Sequence, residues 1–156
     1  MQTGTFTSSH GPWITTAFFA LALYVVGAGM MDSFVVYHTW KFIGNAEFPL
    51  AHAESGSRVV QVFVLPLIAT TVFLILLFWH RPTAISRKLI WVALISIMIA
   101  WLSSAFIQIP MQIELDKGLN PALLQKLIDS DWIRFVPQMV FLISVLAMMS
   151  KSLRKK

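Results

Sequence analysis

A chain of 156 residues has the length of one domain, yet 57% of it is hydrophobic and its mean hydropathy is +0.73, outside the range of soluble globular proteins. The net charge of +5 would point to nucleic acid if the basic residues formed one patch, but they are divided between links and a tail, and nucleic-acid binding is set aside. Cysteine is absent, which excludes disulfides, thiolate metal ligands and thiol redox chemistry, including quinone reduction by a Cys pair.

A hydrocarbon core takes about 20 apolar residues per helical span, and four segments qualify: roughly Trp13 to Val36, Val59 to Trp79, Leu89 to Ile109, and Trp132 to Met149. The expected fold is all-α, a single integral membrane domain over 1–156 built as a four-helix transmembrane bundle. The first run is too long for a signal-peptide core and no Lys or Arg precedes it, so it reads as a retained span. Gly27, Ala28 and Gly29 are small enough to let a neighbouring helix approach closely. The connection from Tyr37 to Arg58 is rich in aromatic and apolar residues and is expected along the interface, with Tyr37 and Trp40 in the aromatic belt. Pro66 in span two and Pro137 in span four predict kinks that splay one end of the bundle into a cavity.

The link between spans two and three carries Arg81, Arg87 and Lys88. Span three is expected to end at Pro110. Asn120 and Pro121 then supply a cap and a first-turn proline, and Leu123, Leu124, Leu127 and Ile128 recur at helical spacing, which predicts a short amphipathic interfacial helix between spans three and four. Asp131 is placed to cap span four. The tail holds Lys151, Arg154, Lys155 and Lys156, on the same side as the Arg81 link. By the positive-inside rule that side is cytoplasmic, giving a multi-pass protein of the cytoplasmic (inner) membrane with both termini inside. The tail reads as a topology signal touching anionic headgroups. All seven acidic residues fall on the opposite side. The implied partners are the lipid bilayer and a lipophilic small molecule, and a homo-oligomer stays open.

Polar side chains inside a bilayer are costly and therefore informative. Asp32, Gln61, Gln108, Gln112, Arg134 and Gln138 fall near the same depth, on all four spans. One reading is interhelical hydrogen bonding with an Asp32–Arg134 ion pair; the other is a substrate pocket. Of the histidines, His10 and His80 lie at the far end, leaving His38 and His52 with Glu47, Glu54 and Glu114 nearby. A metal held by His38, Glu47 and His52 is an open alternative that the spacing does not favour, since there is no HExxH and no i,i+4 His pair. A single imidazole acting as general base is equally open, beside the plainer reading of a His bonded to a loop carbonyl. No phosphate-cradling loop, nucleophile elbow or dinucleotide fingerprint is present, so no cofactor is favoured. With Asp32 and Arg134 as the only charges within the spans, an ion channel or a monomeric proton pump is disfavoured.

Pro110, Gln112 and Leu115 at the end of span three, with Trp132 and Arg134 opening span four, resemble the small four-span membrane family that includes anthrone oxygenases. The family more usually carries Asn at the Gln112 position. Tyr37, His38, Thr39 and Trp40, followed by Glu47, Phe48 and His52, are similar to a bacterial branch of it. The resemblance implies oxidation of an electron-rich polycyclic phenol by O₂ without an obligatory metal or flavin. It would assign His38 or His52 as base, Gln112 and Arg134 as anion stabilisers, and Trp40 or Trp132 as a stacking wall. A non-enzymatic membrane subunit or lipid-binding protein is the rival reading, and a His/Glu metal enzyme the third.

Overall fold

The computed structural model describes residues 11–154; His10, Lys155 and Lys156 lie outside the described residues. Four long helices, α1 (Gly11–Phe42), α2 (Phe48–His80), α3 (Arg87–Leu115) and α4 (Pro121–Leu153), are each apolar enough to cross a membrane. They run antiparallel in sequence, α1 packing on α2 and α4, and α3 on α2 and α4. The short links leave one end basic, around Arg81, Arg87, Lys88 and Lys151. The acidic residues gather at the other.

The helices hold between 29 and 33 residues, about 45–50 Å at 1.5 Å per residue, against roughly 30 Å of hydrocarbon. The excess is at the acidic end. The apolar runs mark the basic ends of the helices closely, but at the acidic end the helices continue to Phe42, Phe48, Leu115 and Pro121. They continue because a second core forms there. Tyr37, Trp40, Phe48, Leu115, Leu124 and Leu127 bury one another beyond the main core of Phe18, Ala22, Leu74, Leu77, Ile90, Ala93, Phe141, Val145 and Met148.

This second core corrects three expectations. The Tyr37 to Arg58 connection is helical except for the turn over 43–47, and Tyr37 and Trp40 are buried in protein rather than set in a lipid belt. The amphipathic segment Pro121–Ser130 is capped as expected, Asn120 Oδ1 accepting from the Leu123 amide at 3.1 Å. It is nevertheless the first part of α4, and Leu124 and Leu127 face the second core, so it is not a separate surface helix. An apolar stripe at helical spacing meets a protein partner and a membrane surface equally well. Asp131 makes no capping bond and turns its carboxylate to Arg134.

Three of the helices carry one wide π turn each, at Asp32–Val36, Val60–Val64 and Ser104–Gln108, with i→i+5 bonds from the Tyr37, Leu65 and Ile109 amides to the Asp32, Val60 and Ser104 carbonyls. Such turns recur at functional sites because they re-aim the residues beyond them. Pro66 and Pro110 follow two of these turns, and so α3 passes through Pro110 instead of ending there. Proline cannot donate to the carbonyl four residues back; for Pro66 that is Val62, whose oxygen accepts from the Tyr24 hydroxyl at 2.8 Å. Gly29 provides the close approach expected of the small-residue stretch, since a Cβ there would meet the Gln138 amide, whereas Gly27 faces open space.

Candidate functional site

The polar layer lies between the two cores, at the level of the π turns. Arg134 of α4 is its centre. Its Nη2 donates to Asp32 Oδ2 at 3.2 Å and to Ser33 Oγ at 3.1 Å, and lies 2.8 Å from Asp131 Oδ1. Its guanidinium carbon stands 5.6 Å from the Tyr37 ring centroid, within cation–π range. The Gln112 amide donates to the Tyr37 hydroxyl at 2.8 Å. The Asp32, Asp131 and Arg134 side chains are each less than a tenth exposed. Two carboxylates therefore share one buried guanidinium, an arrangement that ties α1 to α4 and holds the arginine in one place.

Beside this layer, between α2 and α3, is a cavity of about 310 Å³, within the size range of small-molecule sites. Its walls are apolar: Val59, Val60, Phe63, Val64 and Leu67 from α2, and Trp101, Ile109 and Ile113 from α3. Its polar lining is Asp32, Arg134, Gln108, Gln112, His52 and Asp116. A much smaller crevice, lined by Val25, Phe63, Ile97, Gln138 and Phe141, lies against it towards the basic end. Gln138 lines that crevice and donates to the Val26 carbonyl at 3.0 Å.

His52 is 3% exposed and packed between rings, its centroid 4.5 Å from Trp40 and 5.3 Å from Phe48. Its Nδ1 lies 2.7 Å from Asp116 Oδ1. A carboxylate can only accept, so Nδ1 carries the hydrogen, and in the neutral imidazole Nε2 is then the acceptor. That Nε2 has no partner. Gln108 is 1% exposed; its Oε1 accepts from Ser103 Oγ at 3.1 Å, and its Nε2 has no acceptor. Arg134 Nε is likewise unpartnered. Buried polar atoms are nearly always bonded, and these three, one acceptor and two donors, belong to residues lining one cavity.

Comparison with protein-family models, curated proteins and solved structures found no match to this chain.

The cavity thus brings together Asp32, His52, Gln108, Gln112 and Arg134 from the residues singled out in the sequence. It does not include the others. His38 is exposed and lines a side crevice between α1 and α4 with Asp131 and Trp132; Trp132 is itself exposed. Gln61 and Glu47 face outward, and Trp40 supports His52 from behind without lining the cavity. Among the described residues no three His, Cys, Asp or Glu side chains converge as a metal-ligand set. Asp116 and Tyr37 were missed as site residues. The signal for Asp116 was its spacing, since Gln108, Gln112 and Asp116 recur at i, i+4 and i+8 and share a helix face.

Proposed function

We propose that this protein is a membrane enzyme that deprotonates a lipophilic phenolic or quinone-like molecule and lets the resulting enolate react with O₂. The observation that carries the reading is that three unpartnered buried atoms belong to residues lining one cavity: His52 Nε2 as base, with the Gln108 and Arg134 N–H groups as donors to the developing oxyanion. Asp116 is a positioning residue that sets the imidazole tautomer.

With an anthrone-like substrate the reaction begins when His52 Nε2 takes the proton from the acidic C–H, and the electron pair moves to the oxygen held by Gln108 and Arg134. The enolate carbon forms a C–O bond to O₂, which is reduced to a hydroperoxide after taking back a proton. Loss of the second C–H proton with cleavage of the O–O bond expels hydroxide, giving the quinone and one water per O₂ consumed. The apolar walls hold the ring system and keep bulk water from the carbanion.

The test is oxygen uptake by the purified protein with anthrone in detergent. The reading expects uptake with one quinone formed per O₂, lost in His52→Gln. A second reading, a non-enzymatic membrane subunit, draws on the Asp32–Arg134–Asp131 cluster as a purely structural tie; it expects no uptake above the spontaneous rate.

A further inference from the structure

We propose that the cavity is loaded sideways from the bilayer, through a mouth between α2 and α3, and that its ligand is an amphiphile whose ionisable head enters while a hydrocarbon tail stays in lipid. This rests on the cavity being the ligand site described above. It adds the route and the substrate class.

Towards the acidic end the two helices bordering the cavity lean on different neighbours. There α2 touches α1 over Val60–Val64, with a separate groove between them lined by Tyr24, Met31, Val36, Val59 and Val62, while α3 packs on the first part of α4 and the cavity occupies the space between α2 and α3. Of the four exposed residues that line the cavity, Val60, Ile109 and Ile113 are apolar and respectively 51%, 47% and 59% exposed, and Asp116 stands at the headgroup end. An exposed apolar rim on a cavity with a polar floor is a mouth suited to hydrocarbon, not to water.

The exposed side chains around the mouth set its depth. Below the rim the outer surface is apolar, with Leu65, Ile68, Leu102 and Phe106 exposed. Within about a turn or two above it the surface turns polar, with Glu54, Ser57 and Arg58 on α2 and Glu114, Asp116 and Lys117 at the end of α3. The mouth therefore lies where acyl chains meet headgroups. The side towards water is roofed. His52 and Asp116 bridge α2 to the end of α3 at 2.7 Å, and His52 is packed against Phe48 and Trp40. Asp32 and Arg134, from α1 and α4, stand on the far wall. A molecule resting at the interface with its hydroxyl end inward meets the polar wall head first.

The chain has no cysteine, so single thiols can be placed at will. Ile113→Cys and, as control, Phe106→Cys, which is 76% exposed on the same helix but away from the cavity, are reconstituted into phosphatidylcholine vesicles. Binding of naphthol and of dodecyl-naphthol is measured by fluorescence before and after alkylation with a bulky maleimide, each variant serving as its own reference. The proposal expects both probes to bind with affinities within about threefold of each other when expressed as mole fraction in the membrane, because the chain stays in lipid in both states. It expects alkylation at Ile113→Cys to weaken binding by about tenfold or more and alkylation at Phe106→Cys to leave it unchanged. Binding of naphthol with exclusion of the dodecyl probe, unaffected by alkylation at Ile113→Cys, would overturn lateral loading while leaving the base and its cavity in place. Failure of both probes to bind the unalkylated protein would remove the cavity as a ligand site and both readings with it.

Discussion

His52 Nδ1 and Asp116 Oδ1 lie 2.7 Å apart, joining α2 to the first residue beyond α3, with the histidine buried and the carboxylate half exposed. The asymmetry separates two roles. Replacing His52 by Gln removes the base and should lower turnover by about 10²–10⁴-fold. Asp116→Asn should lower kcat by a smaller factor with KM unchanged, and should leave the unfolding temperature near wild type, because the Asn amide oxygen can still accept from Nδ1. Steady-state oxygen uptake and thermal unfolding of both variants check this.

Arg134 is shared by two buried carboxylates, so its loss is more damaging than the loss of either one. Arg134→Met should destabilise the protein by about 3–5 kcal/mol, the range for stranding a buried charge. Asp32→Asn should cost less, since Asp131 still pairs with the guanidinium, and adding it to Arg134→Met should restore part of the stability. Unfolding of the two single variants and the double variant in detergent tests the ordering.

The π turn at Ser104–Gln108 aims the residues beyond it. Inserting one alanine after Ala105, in a turn that already holds its extra residue, would advance the rest of α3 by about 100° relative to the main core, taking Gln108 and Gln112 off the cavity wall. Helical content by circular dichroism should be unchanged while naphthol binding is lost. Retained binding would mean that the phase of α3 beyond the turn plays no part in placing these amides.

The fold was legible in the sequence because lipid-facing and core-facing residues are both apolar, so four runs stand out above any background. What hydropathy could not show was the part of each helix beyond the lipid. There the outward face carries groups such as Glu54, Arg58, Gln125 and Asp129, and burial of Phe48, Leu115 and Leu127 is visible only once the helices are assembled. For the site, depth was legible and direction was not. Asp32, Gln108, Gln112 and Arg134 were found by their cost in a membrane, but the same argument admitted Gln61, which faces outward, and offered no choice between His38 and His52. For His52 the choice rests on contacts with Asp116, Trp40 and Phe48, which form only once the helices are assembled.

The distribution of Lys and Arg argues that the basic end faces the cytoplasm and the cavity end the opposite side. In intact cells a membrane-impermeant maleimide should label Asn45→Cys, in the exposed turn between α1 and α2, and should reach Thr83→Cys in the basic link only after permeabilisation. Labelling in the reverse order would place the cavity at the cytoplasmic leaflet.

The most direct test of the central claim, that a cavity in the membrane presents an unpartnered imidazole nitrogen to a ligand hydroxyl, is the emission of bound naphthol. Excited naphthol gives its proton to an adjacent base and then emits as naphtholate, at longer wavelength. In a site closed to bulk water, wild-type protein should give naphtholate emission, whereas His52→Gln should bind the probe and emit as neutral naphthol. The same emission from both proteins, or binding that does not depend on the cavity residues Gln108 and Arg134, would contradict the account.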